Sequence, residues 1–314
     1  MPLTAKRQFL KWSLATAAVA ALTACGGGDD DDSPPDIVGV AQADPQFSIL
    51  VEALVAADLV GTLQGPGPFT VFAPTNAAFA ALLAELGLTK EALLADKALL
   101  ASVLTYHVIA GRVPAAGVPL GQAVTTVQGG VFKVENNAGL KVTDGRNRVT
   151  NITATDVAAR NGVIHVVDRV LLPANRDIVA TAQAVPELSI LVEAVVTAGL
   201  VGTLQGPGPF TVFAPTNTAF AALLAELGVS KEALLADTAL LTRVLTYHVV
   251  PGRVLKAAVP IGAPIATVLG QSFTVSPALQ ITDRRGRTAG ITATDTLTRN
   301  GVVHLIDKVL LPAA

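Results

Sequence analysis

Cysteine, methionine and tryptophan each occur once in the 314 residues, and tyrosine twice. A single Cys cannot close an intramolecular disulfide, so no cross-linked scaffold is available. Charged residues make up only 15% and nearly cancel, at net −2. That excludes a nucleic-acid binder that depends on neutralising phosphates. Apolar residues reach 51%, which excludes a disordered chain. This length accommodates one large domain or two ordinary ones.

The lone Cys and Trp both lie in the first 25 residues. Residues 1–24 have the layout of a secretory signal peptide. Lys6, Arg7 and Lys11 precede an apolar, small-residue stretch, Trp12 to Leu22, too short to span a bilayer. Leu22-Thr23-Ala24-Cys25 resembles a bacterial lipobox, in which the Cys is acylated and becomes the new N-terminus. The alternative is an ordinary signal with an incidental Cys. Two or three acyl chains give stable anchoring. Gly26 after the Cys fits an outer-membrane destination. Residues 25–35 then form the lipidated Cys and an acidic Gly/Asp/Pro tether. Its glycines are flexible, Asp29 to Asp32 repel one another, and Pro34-Pro35 stiffens the end. Four Asp without the Gly turn and Glu of a calcium loop disfavour a Ca²⁺ site. Loss of the three basic signal residues takes the net charge from −2 to −5, four of it in the tether, so the folded part is near −1.

The remainder is an internal duplication. Gly61 to Phe69 recurs as Gly202 to Phe210, and 62 of the 78 positions from Asp36 to Val113 are identical at an offset of 141. Later the offset is 139, so that Asn161 to His165 matches Asn300 to His304. Two domains follow, 36–174 and 175–314, each of ordinary size. The short join Ala174-Asn175-Arg176 predicts domains that touch or hold a limited range of angles.

Each copy reads as helices followed by strands. Asp44-Pro45 precedes the stripe Phe47, Leu50, Val51, Leu54. After an apolar strand at Phe69 to Phe72, Thr75-Asn76 caps a helix carrying Phe79, Leu82, Leu83 and Leu86, which Gly87 stops. Thr89 and Asp96 begin two more helices. Strands are expected at Val131 to Val134, Leu140 to Thr143, Ile152 to Thr155 and Val163 to Leu171, with a turn at Asp144 to Arg148. Without βαβ alternation this is an α+β fold with a largely antiparallel sheet.

Thr70 to Phe79, Tyr106-His107-Val108 and Asn161 to Asp168 resemble the signature segments of the fasciclin (FAS1) domain family. Thr211 to Phe220, Tyr247-His248-Val249 and Asn300 to Asp307 repeat all three. The resemblance implies two tandem fasciclin-like domains, each a seven-stranded β-wedge with flanking helices. In animal members it implicates the Tyr-His segment, and an Asp-Ile pair before the last signature, in adhesion to integrins. The candidate interaction residues here are therefore Tyr106, His107, Asp156, Val157, Tyr247, His248 and Asp295. Thr296 stands where the second copy would need an aliphatic residue.

Catalytic chemistry finds little support. Ser48 and Ser189, the only equivalent serines, lie in expected helices and outside any Gly-x-Ser-x-Gly turn. His165 and Asp168 sit at i and i+3 of a strand, on opposite faces, and cannot share one metal ion. His107, His165, His248 and His304 read as partly buried structural residues bonded to backbone, Thr or Asn groups. With Trp12 removed, only two Tyr remain to stack on sugar, which disfavours a carbohydrate platform. Arg146, Arg148, Arg285 and Arg287 on the repeated turns form a candidate basic patch, either solvated or docking anionic envelope polymers or headgroups.

The expectation is a non-enzymatic adhesion or protein-interaction lipoprotein of the cell envelope, lipid-anchored at the outer membrane on its periplasmic or extracellular side. It would need no cofactor and no metal, and would bind no nucleic acid. Its partners would be an extracellular or envelope protein or matrix component, and the membrane through the lipid anchor. Monomeric chains would act by multivalent display. The alternative is an envelope ligand-binding protein for a small molecule or polysaccharide.

Overall fold

The computed structural model describes residues 34–314, which form one compact unit. The expected signal peptide, the Cys25 anchor and most of the tether lie outside the described residues. Two seven-stranded sheets are present, one per repeat. The first contains β1 (Phe69–Pro74), β2 (Val108–Ala110), β3 (Ala123–Thr125), β4 (Val131–Asn136), β5 (Leu140–Thr143), β6 (Val149–Ala159) and β7 (Gly162–Val167), in the order β2-β1-β7-β6-β5-β4-β3. The second contains β8 (Phe210–Pro215), β9 (Val249–Pro251), β10 (Pro264–Ala266), β11 (Ser272–Val275), β12 (Gln280–Thr282), β13 (Thr288–Thr298) and β14 (Gly301–Ile306), in the corresponding order. Neighbours are antiparallel except β1 with β7 and β8 with β14. The architecture is the expected α+β wedge with flanking helices.

Local sequence explains the helices. The Thr75 hydroxyl accepts the Ala78 N–H at the start of Asn76–Leu86, and Gly87 ends that helix in the left-handed region at φ 64°. Thr89 and Asp96 cap Lys90–Ala95 and Lys97–Tyr106 in the same way. Asp44-Pro45 differs from expectation, because it opens only a 3-10 turn, Pro45–Phe47, and the α-helix runs from Ser48 to Ala56. The helices Ile37–Ala43 and Val60–Gln64 lie outside the expected set. The expected strand at Ile152 to Thr155 is the centre of the longer β6, and the last strand ends at Val167 rather than Leu171.

Each sheet buries both faces. In the first domain Val71 and Ala73 face the helices, where Phe47, Leu54, Phe79 and Leu104 pack. The intervening Phe72 faces the opposite cluster, with Tyr106, Phe132 and Val142, as strand alternation requires. The β1–β7 pair explains the Asn-Gly signature. A Cβ on Gly162 would lie 2.2 Å from the Phe69 carbonyl oxygen, so only glycine fits. Asn161 accepts the Ile37 N–H and donates to the Leu63 and Gly65 carbonyls, tying two helices to the strand.

Candidate functional site

The Tyr-His elements are core, not surface. Tyr106 is fully buried with its ring centroid 6.0 Å from that of Phe132, and its hydroxyl donates to the Val131 carbonyl at 2.6 Å. Burial pushes this phenol above its ordinary range. His107 Nδ1 donates to the Val103 carbonyl at 2.7 Å, and Nε2 accepts the Leu171 N–H at 2.9 Å. Burial pushes the imidazole down to about 4, which keeps it neutral. In the second domain Tyr247 donates to the Ser272 carbonyl at 3.0 Å, and burial pushes it up to about 12. His248 bonds the Val244 carbonyl and the Leu310 N–H, and burial lowers it to about 4. The expectation that Tyr106, His107, Tyr247 and His248 meet a partner is corrected. Each imidazole pins the last helical turn to the chain leaving the sheet, inside the domain.

The second pair of histidines holds two bulges. Where β6 slips register against β7, Asp156 adopts φ 60°. Its N–H donates to His165 Nδ1 at 3.3 Å, and His165 Nε2 donates to the Val113 carbonyl at 3.0 Å. The Asp156 carboxylate accepts the Ala115 N–H at 2.8 Å. Asp156 and Val157 both remain exposed. Asp295 repeats this geometry at φ 62°, with its N–H on His304 Nδ1 and its carboxylate on the Lys256 N–H at 2.7 Å. Burial lowers the His304 pKa. Yet Asp295 is only 5% exposed, because the first domain covers it. As a contact for an external partner Asp295 is therefore corrected. Backbone groups occupy both nitrogens of all four imidazoles. Among the described residues no group of three His, Cys, Asp or Glu could hold a metal ion.

The basic turns are largely self-neutralised. Buried Asp144 accepts the N–H groups of Arg146, Arg148 and Leu172. Arg148 pairs with Asp144 at 2.7 Å and Glu85 at 2.9 Å, and also reaches the Val170 carbonyl. Arg287 pairs with Glu226 at 2.7 Å and lies 3.9 Å from Asp283. Arg148 and Arg287 are therefore corrected as patch residues, since their charge is spent holding the turn to a helix. Arg285 is exposed, and its Nε donates to the Pro312 carbonyl at 3.1 Å. Arg146 has no carboxylate within 4.0 Å among the described residues.

The sequence profile of the fasciclin domain matches residues 45–173 and 186–312. The chain belongs to the fasciclin domain family. A protein of Synechocystis sp. is 48% identical over 141 residues, which covers 44% of this chain and 73% of that protein. The transforming growth factor-beta-induced protein ig-h3 of Sus scrofa is 28% identical over 256 residues, 80% of this chain but only 35% of its own length. The cell surface glycolipoprotein MPB83 of Mycobacterium bovis is 36% identical over 157 residues, 45% of this chain and 65% of that protein.

The two fasciclin domains meet through residues of which the family resemblance marks only Asp295 as a contact. Lys133 on β4 pairs with Asp295 at 3.1 Å, with side chains 10% and 4% exposed. Asn147 donates to the Leu297 carbonyl and accepts the Leu297 N–H, at 3.1 and 2.7 Å. Val131 packs with Leu255, Leu297 and Val302 in a small shared cluster. The available sequence signal is divergence between repeats. Val131, Lys133 and Asn147 align with Ser272, Thr274 and Gly286, while Leu255 and Leu297 align with Pro114 and Ala158.

Proposed function

We propose that this protein is a non-enzymatic adhesion or protein-interaction lipoprotein of the cell envelope. An acylated Cys25 holds it at the outer membrane, and its fasciclin domains bind an extracellular or envelope protein or matrix component. The observation that carries this reading is the Asp156-Val157 bulge. Its backbone N–H is held by His165 and one carboxylate oxygen by the Ala115 N–H, while Asp156 and Val157 stay exposed. A contact point preorganised in this way loses little entropy on binding. The kinship with a mycobacterial protein named as a cell surface glycolipoprotein supports the location. Many monomeric chains anchored side by side convert weak contacts into avidity.

The test is a pull-down with soluble 36–314, wild type and Asp156→Ala, against matrix preparations and the cell's own envelope. The wild type is expected to enrich a macromolecule that the variant retains at least tenfold less. Enrichment of none contradicts the reading. Palmitate labelling of the full chain that persists in Cys25→Ser contradicts the anchor.

A further inference from the structure

A solvent-open groove of about 350 Å³ lies where the turn of the first domain meets the join and the second domain. Arg146, Asn147 and Arg148 line it from the turn, Asn175 and Arg176 from the join, and Thr181 from the helix Ile178–Gln183. No carboxylate and no aromatic ring lines it. Arg148 is neutralised by Asp144 and Glu85. Arg146 and Arg176 have no such partner within 4.0 Å among the described residues.

The repeat supplies an internal control. In the second domain the aligned Arg285 donates its Nε to the Pro312 carbonyl. In the first, Arg146 Nε is buried with no hydrogen-bond partner. The chain there continues into the join, and Ala174 passes so close to Gly145 that a Cβ would lie 2.3 Å from the Ala174 nitrogen. The second domain has Arg284 at that position. No protein carbonyl fixes Arg146 as Pro312 fixes Arg285, and an anion in the groove would give its guanidinium a charge-assisted partner. Burial, and then Arg148, lower the Arg146 pKa, with Asp144 and Glu85 opposing them in part.

We propose that this interdomain groove binds a small hydroxylated oxyanion of the sugar-acid type. Arg146 and Arg176 take the carboxylate or phosphate, and the side chains of Asn175 and Thr181 meet the hydroxyls. The groove volume is at the lower end of small-molecule sites, which suits a single sugar unit. This site is separate from the Asp156 bulge and stands or falls independently of the adhesion reading.

The test is calorimetric titration of the detergent-solubilised full-length chain with D-glucuronate, glucose 6-phosphate and neutral D-glucose. At least one anion binds, at least tenfold more tightly than glucose, and the tighter of the two identifies carboxylate or phosphate as the preferred group. Arg146→Gln and Arg176→Gln each weaken it at least tenfold, whereas Arg285→Gln leaves it unchanged. Arg176 is exposed on the join, so its variant reports on binding even where Arg146→Gln disturbs the turn. Failure of both anions to bind, glucose binding equally well, or unchanged affinity in Arg176→Gln overturns the proposal.

Discussion

The first fasciclin domain presents Val131, Lys133 and Asn147 to the second, which answers with Leu255, Asp295 and Leu297. The unused copies of these faces have changed. Ser272, Thr274 and Gly286 replace the first set, and Pro114 and Ala158 replace the two leucines. The contact is heterologous, joining two different faces, and such contacts propagate into filaments when both faces persist on every unit. Here the outer faces keep only Asp156 of these groups, so neither offers the contact made between the two domains. The same bulge aspartate is thereby a buried lock in one domain and a solvent-facing group in the other. The helical cores differ as well. A cavity of about 20 Å³ in the first domain corresponds to one of about 60 Å³ in the second. Phe47, Leu54 and Ile164 in the first align with the smaller Leu188, Val195 and Val303.

The largest difference between domains is expected at the buried turn carboxylates. Asp144→Ala removes the buried one of the two carboxylates on Arg148, strands three backbone N–H groups and should destabilise the first domain by about 4 kcal/mol. Asp283→Ala should cost less, because Arg287 lies 3.9 Å away and pairs mainly with Glu226. Urea unfolding of both variants checks the order, and equal losses would break the distinction.

At the Tyr-His elements acid should treat the domains alike. His107 and His248 are held near 4 in the folded state against 6.5 unfolded, so the unfolded chain takes up protons first. Their contribution is complete above about 6.5, is lost as pH falls toward 4, and changes no further below. At about 1.36 kcal/mol per unit this is roughly 3 kcal/mol per histidine. His107→Gln should remove about half of that pH dependence in chemical unfolding between pH 7 and 4.5. An unchanged slope would contradict the assignment.

The smallest effect sharpens the core comparison. Val195→Leu with Val303→Ile refills the second cavity and should stabilise that domain by about 1 kcal/mol. Ile164→Val in the first should cost about the same. A loss from the filling pair, read by calorimetry, would show that the second core has closed around its smaller residues.

Local chemistry made the helices and the family legible. Thr75, Gly87, Thr89 and Asp96 act where their residue types and spacing place them. The placement of the Tyr-His pair was legible in part: the residue types favour a partly buried structural pair, but an amphipathic aromatic beside a histidine also suits a surface. Only the approach of Val103 and Leu171 to the two ring nitrogens decides it. The arginine turns read as charge until Asp144 and Glu85, far apart in sequence, converge on Arg148. The lock between domains depends on Lys133 meeting a residue 162 positions away, which no local pattern encodes.

The most direct test of the claim that one bulge is a lock and its copy is free is an interdomain distance measurement. Spin labels at Val55→Cys and Val196→Cys, exposed and equivalent positions, report it in the 36–314 fragment, which lacks Cys25. Breaking a buried ion pair costs about 3 kcal/mol, enough to loosen a contact of this kind. Lys133→Glu and Asp295→Asn should each broaden a single narrow distance distribution, Asn keeping the acceptor for the Lys256 N–H. Single variants as narrow as the wild type would contradict the account.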